Sequence, residues 1–154
     1  VIMGDQFFWR QDGGSNAADL AKLVAERGLT AGLLGNPVED EFIPQTGIID
    51  KDAEGNFIRI VEKPKLEEAP SNLSNSSFYV LPKEVFDLAR TLPANPIRGE
   101  LELTDAINAY VAGGGKLVVG EAKGEYMECG SPKGWLAANN RMFEIEKVDN
   151  RGVY

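Results

Sequence analysis

Three places along this chain set charged side chains where a strand should end. Asp5 follows Val1-Ile2-Met3-Gly4, Glu62-Lys63 follow Phe57 to Val61, and Glu128 follows Tyr126-Met127. In open α/β sheets ligands collect outside the carboxyl ends of the strands, so these residues are the candidates for chemistry. Each also has an ordinary explanation. An Asp after Gly serves as a turn residue as readily as a metal ligand. A Glu-Lys pair before Pro64 can be a solvated strand end, and Glu128 before Cys129-Gly130 can be the approach to a helix. Their joint order along the chain is what makes them candidates.

The elements that must position them are legible as periodic segments. Val1 to Met3 reads as a short buried strand that stops at Gly4-Asp5. Asn16 is placed to cap a helix running to Arg27, with Ala17, Leu20, Leu23 and Val24 on one face and Gly28 as its stop. Thr30 to Leu34 is a second apolar strand. Gly47 to Asp50 and Phe57 to Glu62 form two more, joined by a turn at Ala53-Glu54-Gly55-Asn56. Lys65 to Asn75 is polar and suits a loop, and Ser76 to Leu81 is again a strand. Pro82 starts a helix burying Val85, Phe86, Leu88, Ala89 and Leu92. A helix from Thr104 to Ala112 stops at three glycines. Strands at Lys116 to Val119 and Tyr126 to Glu128 precede a last helix opened by Ser131-Pro132 and carrying Trp135, Leu136, Met142, Phe143 and Ile145. Alternating strands and helices imply an α/β domain, residues 1–154 as one unit, with a mixed, mainly parallel sheet flanked by helices.

Composition narrows the chemistry. The 154 residues carry 16 Lys and Arg against 24 Asp and Glu, a net charge of −8. No dense basic block appears, which argues against a nucleic-acid partner. The absence of histidine excludes Ser-His-Asp and Cys-His mechanisms and His-ligated zinc within the chain. The single Cys129 excludes an internal disulfide and fits a reducing, cytoplasmic setting. No apolar run approaches the roughly 20 residues of a membrane span. The apolar start at Val1 lacks the basic region of a signal peptide, and is read as the middle of a strand in a fragment.

Five strings then occur in one order: Val1-Ile2-Met3-Gly4-Asp5; Gly47 with Val61-Glu62-Lys63-Pro64; Ala69-Pro70-Ser71-Asn72-Leu73 with Phe78-Tyr79-Val80-Leu81; Gly99 to Ile107; and Glu128-Cys129-Gly130-Ser131-Pro132-Lys133-Gly134-Trp135-Leu136-Ala137-Ala138-Asn139. Together they resemble the sugar-1-phosphate nucleotidyltransferases, most of all the bacterial UTP–glucose-1-phosphate uridylyltransferase branch. The resemblance covers the chain as the C-terminal, sugar-phosphate- and metal-binding part of a Rossmann-like nucleotidyltransferase domain, without the N-terminal nucleotide-binding half. It implies transfer of a nucleoside monophosphate from UTP, or another nucleoside triphosphate, to a sugar 1-phosphate such as glucose 1-phosphate.

By that resemblance Asp5 and Glu128 hold Mg2+, and Asp5 and Lys63 are the catalytic pair. Glu62 takes sugar hydroxyls, Lys63 the sugar phosphate, and Gly47, Asn75 and Ser77 line the acceptor. Oxygen ligands and phosphates suit magnesium, and such transfers depend on alignment and charge neutralisation more than on a protein nucleophile. Two residues depart from the family pattern: Glu128 stands where Asp is usual, and Ser77 where Gly is usual. The family's Gly-rich phosphate loop has no counterpart, since Gly13-Gly14-Ser15 reads as a turn starting a helix and Gly113-Gly114-Gly115 as a helix stop. The alternatives are a donor of dTMP or GMP, and a non-catalytic sugar-phosphate-binding or regulatory relative. Relatives of this kind form dimers or tetramers, so a homo-oligomer is expected.

Overall fold

The computed structural model describes residues 1–95 and 99–148, the last two by backbone alone. Five strands form the main sheet in the order β4-β3-β5-β2-β6: β2 is Gly32–Pro37, β3 Gly47–Lys51, β4 Phe57–Glu62, β5 Leu73–Val80 and β6 Val118–Glu121. The sheet is mixed, as expected, but it is not mainly parallel. Only β2 and β6 run parallel, while β2–β5, β3–β5 and β3–β4 are antiparallel. The reason is local for β3 and β4. Asp52 accepts hydrogen bonds from the backbone N–H of Glu54 and Asn56, closing a hairpin, whereas a parallel pair needs a crossover of a dozen or more residues. The one parallel pair among the described strands, β2 and β6, is joined by such a long connection, which takes in β3, β4, β5, α2 (Lys83–Ala89) and α3 (Leu103–Ala112). From α3, Asn108 both donates to and accepts from the backbone of Ile60 at 3.0 and 2.8 Å, which satisfies the otherwise free edge of β4.

A second, two-stranded sheet pairs β1 (Gln6–Trp9) with β7 (Glu125–Glu128). The strand expected at Val1 to Met3 lies along β5, with Ile2 opposite Phe78, but it is exposed rather than buried. The chain turns at Gly4-Asp5 and resumes as β1, because Phe7 and Trp9 pack with Met127, Ala138 and Ile145 while Phe8 meets Phe78 edge-on. Behind β7 lies α4 (Pro132–Val148). Its Ala138 and Ile145 are buried, whereas Trp135, Leu136 and Phe143 remain more than half exposed.

The helix α1 (Asn16–Glu26) buries Leu20 and Val24 as its spacing demands. Ser15, not Asn16, is its cap: extended backbone at Ser15 lets its hydroxyl accept the Ala18 N–H. Asn16 is instead buried and pins the segment between β6 and β7 through paired bonds to the Lys123 backbone.

Candidate functional site

Pairing of β1 with β7 sets Gln6 opposite Glu128, and the Cys129 N–H donates to the Asp5 carbonyl at 2.7 Å. Asp5, just ahead of β1, and Glu128, at the end of β7, therefore stand side by side. Gly130 sits beneath both carboxylates. A Cβ there would lie 3.0 Å from Glu128 Oε1 and 3.4 Å from Asp5 Oδ2. A side chain there would crowd both carboxylates and push the Glu128 carboxylate aside. Glu128 Oε2 accepts from Ser131 Oγ at 2.9 Å, and that Oγ accepts the Gly134 N–H. The extra methylene of Glu is thus taken up by folding its carboxylate back over the first turn of α4, where the helix dipole favours negative charge. The arrangement fits a hard divalent ion: two carboxylates converge on an open space, and Gln6 Oε1 is buried with no partner among the described residues. No group of three or more His, Cys, Asp or Glu gathers there, so the remaining oxygens of an octahedral ion would be phosphates and waters.

The residues expected on the acceptor side lie on or just after β3, β4 and β5. Glu62, at the end of β4, stands opposite Gly47. A Cβ on Gly47 would lie 2.8 Å from Glu62 Oε2 and 3.0 Å from Ile60 Cγ2, so the Glu62 carboxylate itself lies over this glycine. Lys63 is exposed, takes a left-handed φ of 47° and donates its N–H to Thr46 O at 3.0 Å. Ser77 also has a positive φ, 58°, and sits where the β2–β5 register shifts between Leu33 and Gly35. That backbone accounts for glycine being usual at this position. Asn75 supports the turn: its Oδ1 accepts the Ser77 N–H at 3.3 Å, and its Nδ2 donates to the Tyr79 hydroxyl at 2.7 Å. Burial pushes the Tyr79 hydroxyl pKa up. Bonds to Asn75 and Ser77 oppose the shift, and the charges of Asp5 and Glu62 add to it. Both carboxylates therefore act on one phenol.

A cleft of about 590 Å³ opens beside these groups, between the end of β2, the 3-10 turn Asp40–Gln45 and the small sheet. Phe42, Thr46, Asn75, Tyr126 and Glu128 lie on its wall; Asp5, Gly47, Glu62, Lys63 and Ser77 do not. Glu128 belongs to the cleft wall directly, while Gly47 adjoins the lining residue Thr46 and Ser77 is bonded to the lining residue Asn75. Tyr126 is pushed up to about 12 by burial, then by Glu128, Asp5 and Cys129. Gln6, Tyr79, Tyr126 and Ser131 escape a reading of the sequence. Tyr79 lies inside the Phe78-Tyr79-Val80-Leu81 string but carries no charge to single it out.

A family model described as nucleotidyl transferase matches residues 1–144. The bifunctional protein GlmU of Methanococcus maripaludis is 37% identical over 131 residues, covering 84% of this chain and 30% of that protein. A UTP–glucose-1-phosphate uridylyltransferase of Pseudomonas aeruginosa is 31% identical over 151 residues, 94% of this chain and 52% of that protein. Crystal structures of UDP-glucose pyrophosphorylase, apo and complexed with UDP-glucose, align with TM-scores of 0.83 and 0.81 at 25% identity, over 94% and 93% of this chain and 54% and 55% of theirs. The chain thus spans about a third to a half of the length of these proteins.

Proposed function

The chain belongs to the nucleotidyl transferase family, and on that premise we propose that it forms the acceptor and metal side of a sugar-1-phosphate nucleotidyltransferase with UTP as donor and glucose 1-phosphate as acceptor. In the reaction a phosphate oxygen of the sugar 1-phosphate forms a bond to the α-phosphorus of the nucleoside triphosphate. The bond from that phosphorus to the β-phosphate bridging oxygen breaks, and pyrophosphate leaves. The attacking oxygen is already anionic, so no protein base is required, in keeping with a chain that has no histidine. Asp5 and Glu128 would hold Mg2+, which when bound would neutralise phosphate charge. Glu62 is suited to accept hydrogen bonds from sugar hydroxyls, and Lys63 to neutralise the sugar phosphate. Asn75 and Ser77 bound the acceptor, while the Glu62 carboxylate keeps its place because Gly47 has no side chain.

The observation that carries this reading is the convergence of Asp5 and Glu128 over Gly130, beside a cleft walled by Asn75. The choice of UTP and glucose 1-phosphate is supported by the uridylyltransferase of Pseudomonas aeruginosa and the UDP-glucose pyrophosphorylase structures. The test is pyrophosphate release by the full-length protein across UTP, dTTP and GTP, each with glucose, N-acetylglucosamine and mannose 1-phosphates. UTP with glucose 1-phosphate is expected to give the highest kcat/KM. A higher value for another pair reassigns the substrate, and turnover with none overturns the enzymatic reading in favour of a binding module.

A further inference from the structure

We propose that Tyr79 is a positioning residue for the acceptor sugar, fixing the Asn75 amide through its buried hydroxyl; the proposal rests on the function proposed above. Tyr79 is 5% exposed, a member of the main core, and its hydroxyl is bonded to Asn75 at 2.7 Å. The Asn75 side chain is tied at both ends, Nδ2 to the Tyr79 hydroxyl and Oδ1 to the Ser77 N–H. A primary amide carries two N–H groups and two acceptor lone pairs. One of each remains for a ligand in the cleft that Asn75 lines. Without the phenol, only the 3.3 Å bond from the Ser77 N–H would orient the amide, and the choice of presenting an N–H or an oxygen to the sugar would be less firmly fixed.

The same contacts serve the backbone. Ser77 is held at a φ of 58°, a conformation serine adopts only when its surroundings enforce it. Asn75 supplies that constraint, and Tyr79 supplies it to Asn75. Tyr79 reaches the metal side as well, through its main chain: its N–H donates to Val1 O at 2.9 Å, and its carbonyl accepts from the Val1 amine at 2.8 Å. Four residues after Val1 the chain reaches Asp5. One residue therefore contacts both the acceptor wall, by its side chain, and the segment leading to Asp5, by its main chain; only the first contact depends on the phenol.

The test compares Tyr79→Phe, Asn75→Ala and the double variant in the full-length protein, varying sugar 1-phosphate at saturating UTP and then the reverse. Tyr79→Phe keeps the ring in the core, so the thermal midpoint should move little. The KM for the sugar 1-phosphate should rise about five- to tenfold, in line with one or two lost hydrogen bonds, with the KM for UTP unchanged. Asn75→Ala should do the same, and the double variant should be no worse than Asn75→Ala alone, as for residues acting in series. An unchanged sugar-phosphate KM in Tyr79→Phe, additive effects in the double variant, or equal rises in both KM values with a fallen midpoint would each overturn the proposal. If the unaltered protein turns over no sugar 1-phosphate, the functional reading is what fails. Positioning is then judged by side-chain amide exchange at Asn75 in NMR: protection lost in Tyr79→Phe upholds it, and equal exchange in the two proteins overturns it.

Discussion

Lys63 and Ser77 are the two non-glycine residues with left-handed backbone among the described residues. For a residue with a Cβ that conformation costs about 1–2 kcal/mol. Ser77 has Asn75 and Tyr79 to hold it. Lys63 has one backbone bond to Thr46 and the buried Pro64 behind it, and a residue before proline is further restricted. Stability alone would favour glycine at this position. Lysine stands instead at a site of strain, which is where functional side chains concentrate. Lys63→Gly should therefore raise the thermal midpoint by about 2–4 °C, the equivalent of roughly 1 kcal/mol in a chain of this size, while lowering kcat/KM for the sugar 1-phosphate about ten- to a hundredfold. Lys63→Ala keeps the strain and loses the ammonium, so it should show the kinetic loss without the thermal gain. Calorimetry and initial rates decide the matter. A more stable Lys63→Gly with unaltered acceptor kinetics would remove Lys63 from the site.

The pairing of β1 with β7 and the seating of α4 behind them bring Asp5 and Glu128 together, though the two are far apart in sequence. Arg141 on α4 makes a bidentate contact to Glu125 at the other end of β7, at 2.6 and 2.8 Å, so helix and strand are tied at both ends. At the near end the tie is Ser131 Oγ on Glu128 Oε2. If these carboxylates share a magnesium ion, Asp5→Ala and Glu128→Ala should each raise the magnesium concentration needed for half-maximal rate. Glu128→Asp should keep most of the activity, since the open space over Gly130 tolerates a shorter side chain. Ser131→Ala leaves both ligands in place but removes the group that orients one of them; loss of such a partner typically weakens metal affinity about tenfold or more. Magnesium titrations of the four variants in the full-length protein provide the check. An unchanged magnesium dependence in Glu128→Ala, with activity abolished in Asp5→Ala, would mean that Asp5 works with another ligand.

Across the whole molecule, what the sequence discloses follows the range of the interactions involved. The face of α1 at Leu20 and Val24 and the hairpin around Asp52 to Asn56 are set by neighbours a few residues away, and both are legible. Strand direction is not: β5 runs antiparallel to both β2 and β3 because of partners chosen across the sheet. Gln6–Trp9 has no clean alternation that marks a strand, and its partner lies near the other end of the chain. At the site the charged residues stand out by their order, whereas Gln6 and Tyr79 matter only through contacts made on folding. The glycines were legible for a third reason, since their backbone groups are consumed locally. Gly13 N–H bonds Arg10 O, Gly14 N–H bonds the Asp12 carboxylate, and Arg10 packs where a Gly14 side chain would stand. The N–H groups of Gly113, Gly114 and Gly115 bond the carbonyls of Ala109, Val111 and Tyr110, closing α3. In both segments the glycine amides are therefore already bonded within the chain, and a phosphate loop needs such amides turned to the ligand. A single preorganised donor aimed at developing charge contributes about a hundred- to a thousandfold in rate where an oxyanion hole has been dissected, and a phosphate cradle comprises several donors. The isolated 154-residue chain, given UTP, glucose 1-phosphate and magnesium, should therefore release pyrophosphate at the uncatalysed background, at least a thousandfold below the full-length protein, as read by a coupled phosphate assay. Turnover by the chain alone would mean that its own residues hold the triphosphate, and the division of labour between an acceptor side and a separate phosphate cradle would have to be abandoned.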